Sequence, residues 1–372
     1  MATTSLSGLS LTPVEPSDEE AIRQWYELRC AVVRADLPDD PPPCWLHQLG
    51  SFRYPWPGEV ETRWLARDSG SVAGGCALYV PVLDNLDNAV GELLVAPGYR
   101  RCGIGRALLT HLHAEAARQG RIRLILPMEH PLDPAAPDPA GRFAVMSGAV
   151  PALVETRRRL DVDSVDPSVL ARLDAQARAK SQGYSLVQWV GATPQRWLDD
   201  IAYLTGRMFT DAPLDDLQWQ AEAYDAARMQ ARDARNLACG LHTVTTGAVD
   251  GTGKLVAFTQ IVGDATSHWY ADQADTIVAP EHRGHQLGTL VKVANLDLAR
   301  AERPELRVID TSNADSNPYM VRINQAMGFR PHRRTVEWQL DLLTPSDRAT
   351  SPETARPRRN VASARATDRA GP

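Results

Sequence analysis

Residues 278–288 read VAPEHRGHQLG, and residues 95–105 read VAPGYRRCGIG. Val, Ala, Pro, Arg and the last Gly recur at matching places, and 95 to 278 and 105 to 288 are the same displacement of 183 residues. In a chain of 372 residues, a phrase repeated half the length apart indicates two copies of one domain.

The flanking sequence supports that reading. In the first half, Leu9–Pro13, Glu61–Ala66, Val72–Val80 and Val90–Val95 have strand character. A helical period runs over Asp18–Val33, with Ser17 as its expected cap, and a Pro-rich loop, DLPDDPPPCW, follows it. Gly103–Arg118 is a helix, Arg123–Leu126 a strand, Gly141–Met146 a helix and Ala152–Leu160 a strand. A charged helical connector spans Pro167–Lys180. The second half repeats the order: strand Tyr184–Val190, helices Trp197–Met208 and Leu217–Arg235, then strands Leu241–Ala248, Leu255–Val262 and Trp269–Val278. Helix Gln286–Ala301, strand Leu306–Asp310, helix Pro318–Met327 and strand Val336–Leu343 complete it. The expected class is α/β with a mixed sheet, in two units, 1–165 and 182–343, joined by a linker over 166–181. Residues 344–372 have almost no apolar content and are expected to be a disordered tail.

Bulk properties narrow the function. A net charge of −6 and a pI near 5.9 argue against nucleic acid as the main partner. No run of about 20 apolar residues suggests a membrane span, and the first residues, MATTSLSGLSLTP, lack a signal-peptide pattern. The five cysteines form no C-x-x-C pair, which fits reduced thiols and a cytoplasmic location. His282 and His285 have no further metal-ligand spacing around them, so no metal is expected.

In each copy a strand ends in V-A-P, turns through an Arg and enters a helix at Gly-containing sequence. A helix start carries unpaired N–H groups and partial positive charge, small residues let a phosphate approach, and Arg100 and Arg283 add fixed charge. One such turn also serves plain strand–helix packing; two in the same context point to a phosphorylated ligand. The Walker A pattern is absent from both, and Gly103-Ile104-Gly105-Arg106-Ala107-Leu108 lacks the third Gly of a dinucleotide fingerprint.

R-x-x-G-x-G after V-x-P, as in Arg100-Arg101-Cys102-Gly103-Ile104-Gly105, resembles the acyl-CoA pyrophosphate motif of the GCN5-related N-acetyltransferases (GNAT). In the second copy, Arg283-Gly284-His285-Gln286-Leu287-Gly288, Gln286 stands where the first Gly is usual. NADSNPYMVRINQAMGFRP, 313–331, is similar to the family's penultimate helix closing in G-F. The tandem layout resembles actinobacterial two-GNAT proteins. The resemblance implies two tandem GNAT folds, each a mostly antiparallel sheet flanked by helices. It implies acetyl-CoA, or another acyl-CoA, as the cofactor. Residues implied to hold it are Val278, Arg283–Thr289 (including Gly284, His285, Gln286, Leu287, Gly288 and Thr289), Asn313 and Asn317. In the first copy they are Val95, Arg100, Arg101, Cys102, Gly103, Ile104, Gly105 and Arg106. Helix capping explains Asn313 and Asn317 equally well.

Acetyl transfer to an amine requires a neutral nucleophile, a donor for the developing oxyanion and a proton for the leaving thiolate. In the family a base often lies six residues before the Val of V-x-P, which is Asp272 here. Asp275 has the opposite strand parity, but a bulge, common at this point in the family, would change that. A solvated strand-end carboxylate is the other reading of Asp272. The family's thiol-protonating Tyr falls on Asn324, which cannot act as an acid and could only hydrogen-bond the sulfur or the pantetheine arm. In the first copy the corresponding positions are Ala89 and Ala144, with Glu92 of opposite parity. The second half is therefore expected to be catalytic and the first a degenerate copy that keeps the phosphate turn. The implied function is transfer of an acetyl group to a primary amine of a small molecule by direct attack. A non-catalytic acyl-CoA binder and a protein amine acetyltransferase remain as alternatives. Asp211, Asp215 and Asp216 would attract a cationic amine or cap turns. The expected assembly is a monomer or a homodimer, with no nucleic acid and no membrane partner.

Overall fold

The computed structural model describes residues 8–343. The first half runs β1 (Leu9–Pro13), α1 (Glu19–Asp36), α2 (Trp45–Arg53), β2 (Glu59–Asp68), β3 (Ser71–Pro81), β4 (Asn88–Val95), α3 (Ile104–Arg118), β5 (Arg123–Pro131), α4 (Pro139–Met146) and β6 (Val150–Asp161). After α5 (Pro167–Lys180) the order repeats. It gives β7 (Ser185–Val190), α6 (Leu198–Asp211), α7 (Ala226–Ala238), β8 (Leu241–Val249), β9 (Leu255–Asp264), β10 (Tyr270–Val278), α8 (Leu287–Glu302), β11 (Val308–Ala314), α9 (Pro318–Met327) and β12 (Arg330–Asp341). The mixed α/β class read from the sequence is the observed one. The tail expected from residue 344 lies outside the described residues.

All twelve strands form one sheet in the order β1-β2-β3-β4-β5-β12-β6-β11-β10-β9-β8-β7. Only β4–β5 and β10–β11 pair in parallel. The halves exchange their last strands. β12 enters the first half beside β5 (Trp338 opposite Leu126), and β6 enters the second beside β11 (Asp310 opposite Arg159). The two exchanged strands pair with each other at the centre, Val336 opposite Val154. Neither half has its full sheet without the other.

Three details differ from the sequence reading. Asp18, not Ser17, caps α1, accepting from the Ala21 N–H at 3.0 Å. A helix, α2, begins at Trp45, where the Pro-rich stretch ends. The helix expected over 217–235 starts only at Ala226, capped by Asp225. Residues before it pair instead with the turn between β3 and β4: Gln220 N–H donates to Asn85 Oδ1 at 2.6 Å and Asn88 Nδ2 to the Gln218 carbonyl at 2.7 Å. These inter-half bonds take the backbone groups that a helix would use. The connector α5 is no loose spacer, since Leu170 packs into the core with Leu160, Val293 and Leu296.

Candidate functional site

Both repeated turns fold alike. Each V-A-P strand end passes through a short 3₁₀ turn, and the Arg side chain folds back so that Nε donates to the Val carbonyl, 3.3 Å for Arg100 to Val95 and 3.3 Å for Arg283 to Val278. Two positions in each turn are left-handed. They are Arg101 (φ 66°) and Gly103 (φ 87°) in the first copy, and Gly284 (φ 86°) and Gln286 (φ 55°) in the second. Gln286 thus adopts the backbone that the usual glycine would, at a strain of about 1–2 kcal/mol, and the second copy places its glycine at the other left-handed position. A Cβ on Gly284 would meet no atom within 4 Å, which leaves the approach to the α8 N-terminus open. Asp211 does not stand free for a cationic substrate: it binds Arg207 at 2.5 Å and Arg283 at 2.6 Å. Asp36 holds Arg100 in the same way, through two bonds of 2.7 and 2.9 Å.

The surroundings of the two turns differ. A cleft of about 1540 Å³ is lined by Val278, Arg283, Gly284, Gln286, Leu287, Gly288 and Thr289, and by no residue of 95–106. On one side of the cleft β10 and β11 pair only over Tyr270–Asp272; beyond that the backbone ladder ends, and the Gln273 carbonyl accepts instead from the Thr311 hydroxyl at 3.1 Å. A bulge between Gln273 and Thr276 interrupts the pairing of β10 with β9. Consequently Asp272, Ala274 and Asp275 all line the cleft. In the first half β4 pairs with β3 without a break, and a Cβ on Gly91 would collide with Leu126 at 2.9 Å and Leu112 at 3.0 Å. Apolar side chains crowd that place.

Asp272 is 53% exposed, towards the cleft, and binds Arg157 Nη2 at 3.0 Å and the Tyr270 hydroxyl at 3.1 Å. Desolvation by the cleft walls raises its pKa above the usual carboxylate range, against the opposing pull of Arg157. Beneath it Asp310 is fully buried and binds Arg157 at 3.0 Å and Arg159 at 2.8 Å. Burial would raise Asp310, but the two guanidinium groups outweigh it and hold the carboxyl low. Burial and the Asp272 carboxylate push the Tyr270 phenol well up, so it is a proton donor to Asp272 or Asp310. Sequence reading missed Tyr270, Asp310 and Arg157. Tyr270 shares the strand parity of Asp272 and could have been found; Arg157 arrives on the exchanged strand β6.

Asp275 pairs with Arg232 at 3.3 Å. Asn324 is fully buried and does not line the cleft; its amide donates to Asn313 at 2.5 Å. Contact of Asn324 with a thiol or pantetheine arm is therefore not what this packing provides, because α9 turns that face inward. Asn313 and Asn317 both line the cleft, and Asn317 caps α9 through Met320 N–H at 3.2 Å. His285 is bonded to the Lys180 carbonyl at 3.3 Å and His282 to the Tyr184 hydroxyl at 2.9 Å. In the first copy Ala89 and Ala144 are fully buried, and Glu92 is paired with Arg29 at 2.7 Å. Cys102 is exposed on the turn and Ile104 is buried in the core.

A family model described as the acetyltransferase (GNAT) family matches residues 22–136. The tandem GNAT protein from the clavulanic acid biosynthesis pathway, solved without AcCoA, is 32% identical with a TM-score of 0.76, over 90% of this chain and 99% of that one. The chain belongs to the GNAT acetyltransferase family. A GCN5-related N-acetyltransferase from Sphaerobacter thermophilus shares the fold at 15% identity and a TM-score of 0.59, over 92% of this chain and 98% of that one. The GCN5-related glucosamine N-acetyltransferase region of a fungal multi-domain β-N-acetylglucosaminidase shares it at 17% identity and a TM-score of 0.60, over 89% of this chain and 38% of that one. No curated protein matches by sequence. This tandem GNAT protein is an N-acetyltransferase, of a family that generally uses acetyl-CoA. Among the described residues no helix is long and apolar enough to cross a membrane, and no group of three or more His, Cys, Asp or Glu side chains is placed to hold a metal.

Proposed function

We propose that acetyl transfer takes place in the second half, with a small-molecule primary amine as acceptor. The observation that carries the reading is that the large cleft takes in the second turn and the β10 bulge and leaves the first turn out. Residues Arg283–Thr289 would hold the pyrophosphate of acetyl-CoA, with the α8 N–H groups, and the open space beside Gly284 fits that group. Bound there, acetyl-CoA supplies the acyl group as a thioester. Past the point where its pairing with β11 ends, β10 offers backbone donors to an acyl oxygen, and Asp272 takes the proton that the amine must lose. The first unit, 1–165, contributes lining residues to the cleft and delivers Arg157 to Asp272. A cleft walled by both halves favours a small acceptor over a protein segment.

Calorimetric titration of the whole chain with acetyl-CoA tests the placement. One site is expected, weakened about 10-fold or more by Gly288→Leu. A Cβ on Gly288 makes ordinary contacts, 3.4 Å to Ile323 and 3.8 Å to Val278, and a leucine is expected to extend from there into the cleft; an unchanged circular dichroism spectrum of the variant checks that the fold is kept. A single site that survives the substitution would place binding in the first half; two sites falling to one would mean that both turns bind.

A second expectation concerns Arg157, whose charge favours ionised Asp272. Arg157→Met removes that pull, so the rising limb of the kcat/KM profile should move to higher pH. An unmoved limb would separate Arg157 from the base.

A further inference from the structure

Basic side chains from both halves line the cleft. Arg29 of α1 and Arg63 of β2 come from the first, and Arg232 and Arg235 of α7 from the second. Three of the four have carboxylate partners: Glu92 for Arg29 at 2.7 Å, Glu61 for Arg63 at 2.7 Å and Asp275 for Arg232 at 3.3 Å. Arg235 has none among the described residues. Its Nε donates to the Tyr54 carbonyl at 3.1 Å and its guanidinium lies 5.0 Å from the Trp56 ring centre. Arg63 and Arg232 are only 6% and 7% exposed, and the Nε of each is buried without a hydrogen-bond acceptor among the described residues. Buried guanidinium donors that lack acceptors carry a desolvation cost that an incoming anion would relieve.

The local potential agrees. His47 of α2 lines the same region, and its pKa is lowered first by burial and then by Arg235 and Arg29. Arg29, Arg63 and Arg232 have carboxylate partners, Asp264 on the same cleft acts on His47 in the opposite sense, and Glu59 lies within electrostatic range of Arg235, so little positive charge is left over, which suits a single carboxylate better than a phosphate dianion. Arg232 joins these arginines to the reacting centre, because its partner Asp275 lies on the β10 bulge that also sets Asp272.

We propose that Arg63, Arg232 and Arg235 form a carboxylate-binding subsite for the acyl acceptor, so that the acceptor is an amine that also bears a carboxylate. The inference rests on transfer in the second half and names the acceptor class for that site. The first half then takes part in recognition, with Arg63 as one jaw of the subsite.

The test uses the full chain with CoA present and matched pairs of amines that differ only in a carboxylate: lysine against cadaverine, and ornithine against putrescine. In calorimetric titrations the carboxylated member should bind about 10-fold tighter or better. Arg235→Met should abolish the preference and leave the plain diamines unchanged. In the wild type, the NMR titration of His47 should shift to higher pH when the carboxylated member is bound. Equal affinity within each pair, no binding by either member, or a preference that survives Arg235→Met overturns the proposal. The same panel with acetyl-CoA reads thiol release. Preferential binding without release leaves the carboxylate site standing and removes transfer. Equal release from both members of a pair leaves transfer standing and removes the site.

Discussion

Replacement of Asp272 by Asn is expected to lower acetyl-CoA-dependent thiol release by about 10²–10⁴-fold, with the acidic limb of the rate profile lost as well. An alkyl ammonium has a pKa near 10, like that of lysine, so at neutral pH almost every acceptor arrives protonated and must lose a proton before attack. Of the two β10 carboxylates that line the cleft, Asp272 is the more exposed and lies where pairing with β11 ends. Its raised pKa makes it a better proton acceptor than an ordinary aspartate, and it works only when ionised, so the rate rises with pH through that elevated value. Asn keeps the shape and still accepts from Tyr270 and Arg157, which separates loss of the base from loss of packing. Asp275→Asn is the control: that carboxylate is tied to Arg232, and its removal should act mainly on acceptor affinity. The pair is measured with the amine that wild type turns over fastest, across roughly pH 5 to 9. Turnover of the Asp272→Asn protein near the wild-type rate with an unchanged limb would remove Asp272 from the mechanism. A larger loss at Asp275 would exchange the two roles.

The sequence revealed what depends on neighbours along the chain. The helices read over Pro167–Lys180 and Pro318–Met327 have those bounds in the structure, each with a proline in its first turn behind a capping residue, Asp166 and Asn317. The repeated phrase located both turns, and the left-handed backbone at Gln286 shows why one deviating letter did not alter the turn. What depends on the other half was hidden. Leu217–Asp225 reads as helix until Asn85 and Asn88 of the first half claim its backbone. Arg157 lies over a hundred residues from Asp272, and only the exchange of β6 and β12 sets it beside that carboxylate. Parity alone separated Asp272 from Asp275, and the bulge brought both to the same cleft. That alanines stand at 89 and 144 was legible, but the packing around them, leucines beside an unbroken β4, was not.

Lys292→Met is expected to stabilise the protein at neutral pH, by several kcal/mol at the upper end. Lys292 lies on α8, fully buried, with its Nζ making no hydrogen bond among the described residues and 5.6 Å from the centre of the Phe329 ring. Burial alone lowers its pKa from 10.5 to about 7. Each pH unit of such a change is worth about 1.4 kcal/mol, so keeping this amine buried costs the fold roughly 4–5 kcal/mol below pH 7 relative to a site that met it in water. The sign follows from proton counts. Between about pH 7 and 10.5 the unfolded chain holds a proton on Lys292 that the folded chain has lost, so wild-type stability from this group rises with pH across that window. Methionine has nearly the same length, fills the same space and titrates nowhere. Urea unfolding of both proteins should therefore show a gap in favour of Lys292→Met at neutral pH that closes as the pH approaches 10. A gap that stays constant with pH, or a variant less stable than wild type at pH 7, would mean that the ammonium is kept charged in the core, held by its face-on contact with Phe329. The lysine stands one helical turn from Gly288, on the helix that follows the second Arg turn. On the same core side α8 buries Asn295, which accepts from the Thr246 hydroxyl at 2.9 Å and donates to the Val244 carbonyl at 3.2 Å, so a buried polar group is tolerated there when it is bonded, and Lys292 among the described residues is not.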